Sequence, residues 1–298
     1  MNYGLPDADK MFSGSRTPYI GRENRVLRLG TCGLCLKKKE LQKSHLLPAA
    51  LYRQLRNPSA GADPNPNPVL VTHSRALTSS LQVSSPFLCA DCESRISVNG
   101  ENYVVTQCAK RNGLFKLREV LQAVSPLITN KNDQVAGYDV RELLGAKVEQ
   151  YLYFAASVFW RASAHTWIIG GRQVGKISLG DKYQEQFRLY LLGESTFPQN
   201  ALVHVHVASE TQVPLTVATV PTAFRMGAAH RHKFCIPGVL FVLFLGSKVS
   251  TTGDTFALNG SEHRVMWLYP WQNDSHVRGI LQRMQTAIPV GKLGKVKG

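Results

Sequence analysis

Four of the six cysteines fall into two C-x2-C pairs, Cys32 with Cys35 and Cys89 with Cys92. Two such knuckles supply four thiolates, the ligand set of a tetrahedral zinc site with Zn–S distances of about 2.3 Å. A metal held this way stabilises a segment whose apolar core is small, because ligand binding and folding are coupled. The spacing therefore predicts one structural Zn2+. A single C-x2-C would also suit thioredoxin-like redox chemistry, but the second copy and the missing βαβ context argue against it. Cys108 and Cys235 have no partner at ligand spacing and read as ordinary buried thiols.

Between the knuckles lies Lys43-Ser44-His45-Leu46-Leu47-Pro48, and the second knuckle reads Phe87-Leu88-Cys89-Ala90-Asp91-Cys92-Glu93. A lone histidine beside an apolar pair is often a core residue. In this order, however, the elements over residues 30–100 resemble the zinc-containing branch of the HNH nucleases. That branch has a C-x2-C, an (Asp)-His-φ-φ-Pro segment, a loop with Asn, and a Leu-Cys-x2-Cys followed by His or Asn. The resemblance implies a treble-clef, ββα-metal module in which a hairpin and a helix clasp a catalytic metal. It makes His45 the general base that activates water. It makes Glu93 a ligand of a catalytic Mg2+ or Mn2+, since hard cations prefer oxygen. Two departures stand out: Ser44 occupies the place of a metal-binding Asp, and no Asn precedes Cys89. Gln82 is left as the group that orients His45. Asp91 reads as a turn or cap residue, and Glu101 as a solvated surface residue. Ser44–Pro48, Gln82, Leu88–Glu93, Trp160-Arg161 and Phe187–Gly193 together are also similar to an uncharacterised group of bacterial HNH-like proteins.

Lys and Arg total 35 against 20 acids, a formal charge of +15. The excess is shared, with 15 basic and 8 acidic residues in 1–113. Such a balance points to a polyanion, most simply nucleic acid, and the HNH resemblance implies DNA more than RNA. Lys37, Lys38, Lys39, Arg53 and Arg231 are the expected contacts, and Arg225–Lys233 a phosphate-facing loop. Neither an apolar leader nor a run long enough to span a bilayer is visible, so a cytoplasmic, reducing setting without membrane contact is expected.

The elements that must position these residues are read from periodicity. Residues 1–29 form a basic arm, 30–113 the zinc-binding module, 114–290 an α+β domain and 291–298 a basic tail. A hairpin is expected over 30–47, a short helix after Pro48, a loop over 57–68 and a helix near Cys92. Helices are expected over 114–124, 140–164, 181–192 (capped by Asp181) and 281–287, and strands over 201–207, 215–220, 239–245 and 265–269. The fold class is α+β: the zinc module, a helical segment, then a β-rich C-terminal domain. Trp160, Trp167, Phe187 and Tyr190 read as helix-packing core, whereas Arg161 and Arg188 fit either buried partners of acids or a basic face. His204 with His206, and His230 with His232, read as surface histidines on a sheet.

Three functions remain open. The first is a metal-dependent HNH-like endonuclease, with bacterial defence as a setting suggested by family analogy alone. The second is a non-catalytic treble-clef zinc finger that binds nucleic acid or a partner protein. The third is a ligand sensor built on the β-rich domain.

Overall fold

The computed structural model describes residues 28–56, 67–71, 74–132, 134–169, 171–209, 216–226, 229–246, 249, 256–291 and 293. The basic arm, nearly all of the 57–68 loop and most of the basic tail lie outside these residues.

The expected hairpin is present. Strand β1 (Leu29–Thr31) pairs antiparallel with β2 (Lys38–His45), and helix α1 (Ala49–Leu55) follows Pro48. Strands β3 (Val69–Val71) and β4 (Arg75–Thr78) form a second hairpin, and β5 (Ser84–Cys89) returns to pair with β2. Helix α2 (Ala90–Ile96) starts inside the second knuckle, passes through a π-helical turn at Ser97–Glu101, and continues as α3 (Asn102–Gln107). Helix α4 (Lys116–Gln122) and strands β6 (Ile128–Asn130) and β7 (Val135–Asp139) come next.

The long helix expected over 140–164 is two helices, α5 (Arg141–Leu144) and α6 (Lys147–Ala164). Gly145 separates them with φ +50° and ψ −133°, a conformation open to glycine and closed to a helix. Strands β8 (Trp167–Ile169) and β9 (Arg172–Val174) form a short hairpin before α7 (Asp181–Leu192). Asp181 is the first residue of α7 rather than its cap: Gly180 stands at the cap position and no side chain caps it.

Strands β10 (Ala201–Ala208), β11 (Thr222–Met226), β12 (Ala229–Ile236), β13 (Val239–Leu245) and β14 (Val265–Tyr269) follow. They join β7 and β6 in a seven-stranded sheet of order β11-β12-β13-β10-β14-β7-β6, antiparallel except for β10 with β14. The described part of 215–220 is no strand; Thr219 exchanges single bonds with Cys235, and Pro221 lacks the N–H needed to extend the ladder. Helix α8 (Ser275–Thr286) begins six residues earlier than expected, because Asp274 caps it by accepting from the His276 and Val277 amides. Strand β15 (Ile288–Pro289) pairs in parallel with β4, joining the far end of the chain to the first module.

Helix α6 is the centre of the molecule. Thirteen of its residues are buried, from Val148 to Ala162, so it is enclosed on every face. Phe154 packs on Phe234 and Phe241 of the large sheet, and Phe159 on Phe234. On another side Trp160 stacks on Phe87 of β5 at 5.5 Å between ring centroids. One apolar core therefore runs from Cys32 and Leu34 in the first module to Leu245 and Ile280. Trp160, Trp167 and Phe187 are core residues, as their spacing indicated.

At the β11–β12 edge the other face of the large sheet meets the start of α8, where Phe224 lies edge-on to His276. Lys233 of β12 is 4% exposed and donates to Asp274 at 2.5 Å. His206 stacks on Tyr269 at 5.0 Å between ring centroids. The reading of the strand histidines as surface residues is thus wrong for His232, which is buried; His204 and His206 are half-buried, and His230 is exposed. Alternation places residues on one face but does not say whether another layer covers it.

Candidate metal centre and active site

The first knuckle is a tight turn. The Leu36 amide donates to the Cys32 carbonyl at 2.9 Å, and Leu36 takes φ +59°. Gly33 lies against the Phe87 ring so closely that a β-carbon there would sit 2.0 Å from Cε2. The ring cannot retreat, because Trp160 and His165 stack on it. Gly33→Ala is expected to cost about 2 kcal/mol or more, read as a lower melting temperature with the zinc content retained.

The four sulfurs of Cys32, Cys35, Cys89 and Cys92 lie within 4.8 Å of one another, and Cys35 and Cys89 Sγ are 3.9 Å apart. A tetrahedron of Zn–S bonds of about 2.3 Å has edges of about 3.8 Å, so the four cysteines could hold a zinc ion. The Cys89 amide also donates to Cys32 Sγ at 3.3 Å, a contact that favours a thiolate. The hydrogen bond with Cys92 lowers the Cys32 pKa, and the same contact raises that of Cys92. Arg188 of α7 donates to the Leu34 carbonyl at 2.8 Å while paired with Glu185, bracing the knuckle from the second half of the chain. Cys108 and Cys235 are buried, and burial pushes both thiols up, Cys235 to about 11.

Beside this centre a cavity of about 260 Å³ is lined by His45, Pro48, Ala49, Glu93, Ser94, Ser97, Glu101 and Arg161. His45 closes β2 and is half-buried, its ring 6.2 Å from that of Tyr52. Burial is the main influence on the imidazole and lowers its pKa; the Gln82 side chain approaches it and acts the other way. Lys43 and Arg161 reinforce the lowering, and Glu101 opposes it. His45 is thus a neutral acceptor at neutral pH. Glu93 stands in the first turn of α2, and burial raises its pKa. One of its carboxylate oxygens, Oε1, is buried with no hydrogen-bond partner. An unpartnered buried carboxylate oxygen is costly and marks a place for a proton or a cation.

Two of the expected residues, His45 and Glu93, line one cavity, and Gln82 approaches the His45 ring without lining the cavity. Ser44 does not line it as a ligand. It is fully buried, and its hydroxyl accepts from the Leu88 amide at 2.9 Å, tying β2 to β5, while its side chain approaches Glu93. Glu101 corrects its reading as a solvated residue: it lines the cavity and accepts from Arg161 at 2.6 Å. Glu93, Ser97 and Glu101 recur every four residues, a spacing from which a shared helix face could have been read. Arg161 was legible as a charge inside the apolar run of α6, though not its target. Asp91 pairs with Lys39 at 2.6 Å instead of capping a turn.

Among the described residues, the four cysteines are the one group of three or more His, Cys, Asp or Glu whose ligand atoms could share an ion. Lys37, Lys38 and Arg53 are exposed, whereas Arg231 lies half-buried over the Phe224 ring at 5.7 Å. None of these, nor Lys39, lines the cavity. No described helix is long and apolar enough to cross a membrane. Comparison of the chain with protein-family models, curated proteins and solved structures finds no match. Fold and site define a mixed α+β protein with a four-cysteine cluster that could bind zinc.

Proposed function

We propose that the chain is a metal-dependent, HNH-like endonuclease that hydrolyses phosphodiester bonds in nucleic acid, with a treble-clef zinc module as its scaffold. The observation that carries this reading is the cavity that neutral His45, Arg161 and Glu93, whose Oε1 has no hydrogen-bond partner, line together. In this reading the zinc fixes β5 and α2 and takes no part in the reaction. His45, oriented by Gln82, takes a proton from the attacking water. Glu93 Oε1 would hold a single Mg2+ or Mn2+, which supplies charge stabilisation on the phosphate and leaving oxygen. One protein carboxylate suits Mg2+, which keeps most of its waters and binds substrate phosphate directly. Lys37, Lys38 and Arg53 would meet the backbone of the bound strand.

The buried Ser44 favours a second reading, a zinc finger that binds nucleic acid without cutting it, because no carboxylate precedes His45. Incubation with plasmid, single-stranded DNA and RNA in Mg2+ or Mn2+, beside His45→Ala, separates the two. The nuclease reading expects cleavage that falls by about 100-fold or more in the variant. Binding without cleavage, equal in both proteins, would support the non-catalytic finger.

A further inference from the structure

Arg161 is 1% exposed, and its guanidinium reaches out of α6 into the zinc module. Nε donates to the Ser157 carbonyl at 3.2 Å, Nη1 to the His45 carbonyl at 2.7 Å, and Nη2 to Glu101 Oε1 at 2.6 Å and Ser157 Oγ at 3.4 Å. Its own carbonyl accepts from the Trp167 indole at 2.9 Å, which fixes the end of the helix that bears it. A buried ion pair adds little stability over an apolar replacement, so a guanidinium held here asks for another role.

The acid it meets is placed by an irregular backbone. Glu101 ends the π-helical turn, a feature that re-aims side chains and is frequent at functional sites. Gly100, just before it, packs on the backbone of α6: a β-carbon there would lie 3.0 Å from the Phe154 nitrogen. The π-helical turn therefore packs directly on the backbone of α6 at Phe154, about two turns before Arg161. The Glu101–Arg161 pair neutralises itself, leaving Glu93 Oε1 as the carboxylate oxygen of the cavity that is buried without a partner.

We propose that Arg161 and Glu101 are positioning residues of the His45 site. The guanidinium ties the His45 main chain to the Glu101 carboxylate, so that imidazole and Glu93 face a common phosphate, and α6 becomes part of the site. This rests on the phosphodiester-cleaving reading. It also means that residues 30–113 alone would lack a formed site.

The test uses the full chain carrying Arg161→Met, Arg161→Lys, Glu101→Gln and Gly100→Ala, with His45→Ala as reference. Retained zinc and a sharp thermal transition identify the folded variants, and if Arg161→Met does not fold, Glu101→Gln and Gly100→Ala carry the test. Arg161→Met is expected to lower kcat by about 100-fold with KM within about threefold, as for a displaced catalytic group. Arg161→Lys should recover about tenfold of that loss, and Glu101→Gln should fall between. An unchanged kcat in folded Arg161→Met or Glu101→Gln, where His45→Ala is inactive, overturns the proposal and leaves the nuclease reading standing. If the wild type cuts nothing, the nuclease reading fails by itself. The proposal is then decided by NMR: the His45 ring resonance, assigned by its loss in His45→Ala, must move in Arg161→Met and Glu101→Gln. A resonance that stays in place overturns it.

Discussion

Replacing Cys92 with serine, or stripping zinc with a strong chelator, is expected to unfold the segment from Leu29 to Gln107 and to abolish the His45 site. Cys32, Leu34, Cys89 and Cys92 are themselves core residues, so a zinc ion held there and the apolar contacts would form one unit. Without the ion, the close sulfurs of Cys35 and Cys89 lose what holds them together. Structural zinc is worth about 10–16 kcal/mol in small finger peptides at neutral pH, comparable to the whole stability of a typical domain. The loss spreads further, because Arg188 of α7 holds the Leu34 carbonyl and Phe87 is stacked against Trp160. Elemental analysis should find one zinc per chain in the wild type and far less in Cys92→Ser. Thermal unfolding of the variant should start well below that of the wild type. A Cys108→Ser control should keep its zinc, since Cys108 Sγ only touches the Val104 carbonyl at 3.4 Å.

Acidification should destabilise the second half of the chain almost as strongly. Burial lowers the pKa of His204 to about 4, His206 to about 3, His232 to about 4 and His276 to about 4. Both ring nitrogens of His232, Nδ1 of His206 and Nε2 of His276 are buried without a partner, so none has an acceptor waiting for a proton. The folded state therefore keeps these four rings neutral, while the unfolded chain protonates them near pH 6.5. The sign follows: stability is full above about pH 6.5 and falls as the pH drops toward 4, where the folded rings begin to charge. Each histidine contributes a slope of about 1.4 kcal/mol per pH unit in that window. Together they remove on the order of 8 kcal/mol by pH 5, a large part of a typical stability. Denaturant unfolding at pH 7, 6 and 5.5 measures the slope. His232→Leu should lessen it by about one proton, since that ring packs near Phe159 on the core side of the sheet. An unchanged slope would mean that the ring is already protonated in the fold or open to water.

Much of the site was legible because its signals are local. The C-x2-C pairs, the His45 segment and Glu93 are short spacings, carried by β2, β5 and α2 of the first module. The strands β10, β13 and β14 and the helix α7 were likewise visible as apolar runs and periodic stretches bounded by Gly and Pro. What escaped depends on distance in the chain. Glu101 looked solvated because its partner Arg161 lies on a different element, and the π-helical turn that presents it has no spacing signature. The histidines of β10 and β12 looked like surface residues because their neighbours come from elsewhere in the chain: Tyr269 of β14 stacks on His206, and Phe159 of α6 packs near His232. Gly145 was the one break readable in principle: a glycine inside a helical pattern needed only its positive φ to end α5.

The most direct test of the account is the plasmid-nicking rate of zinc-loaded protein as Mn2+ is added, for wild type, His45→Ala and Glu93→Gln side by side. The account predicts a rate that rises with Mn2+ and saturates in the wild type, with all three proteins keeping one zinc. It predicts loss of cutting in His45→Ala, and in Glu93→Gln a residual rate that needs far more Mn2+. Equal nicking by all three proteins, or none by the wild type at any Mn2+ concentration on DNA or RNA, would contradict it.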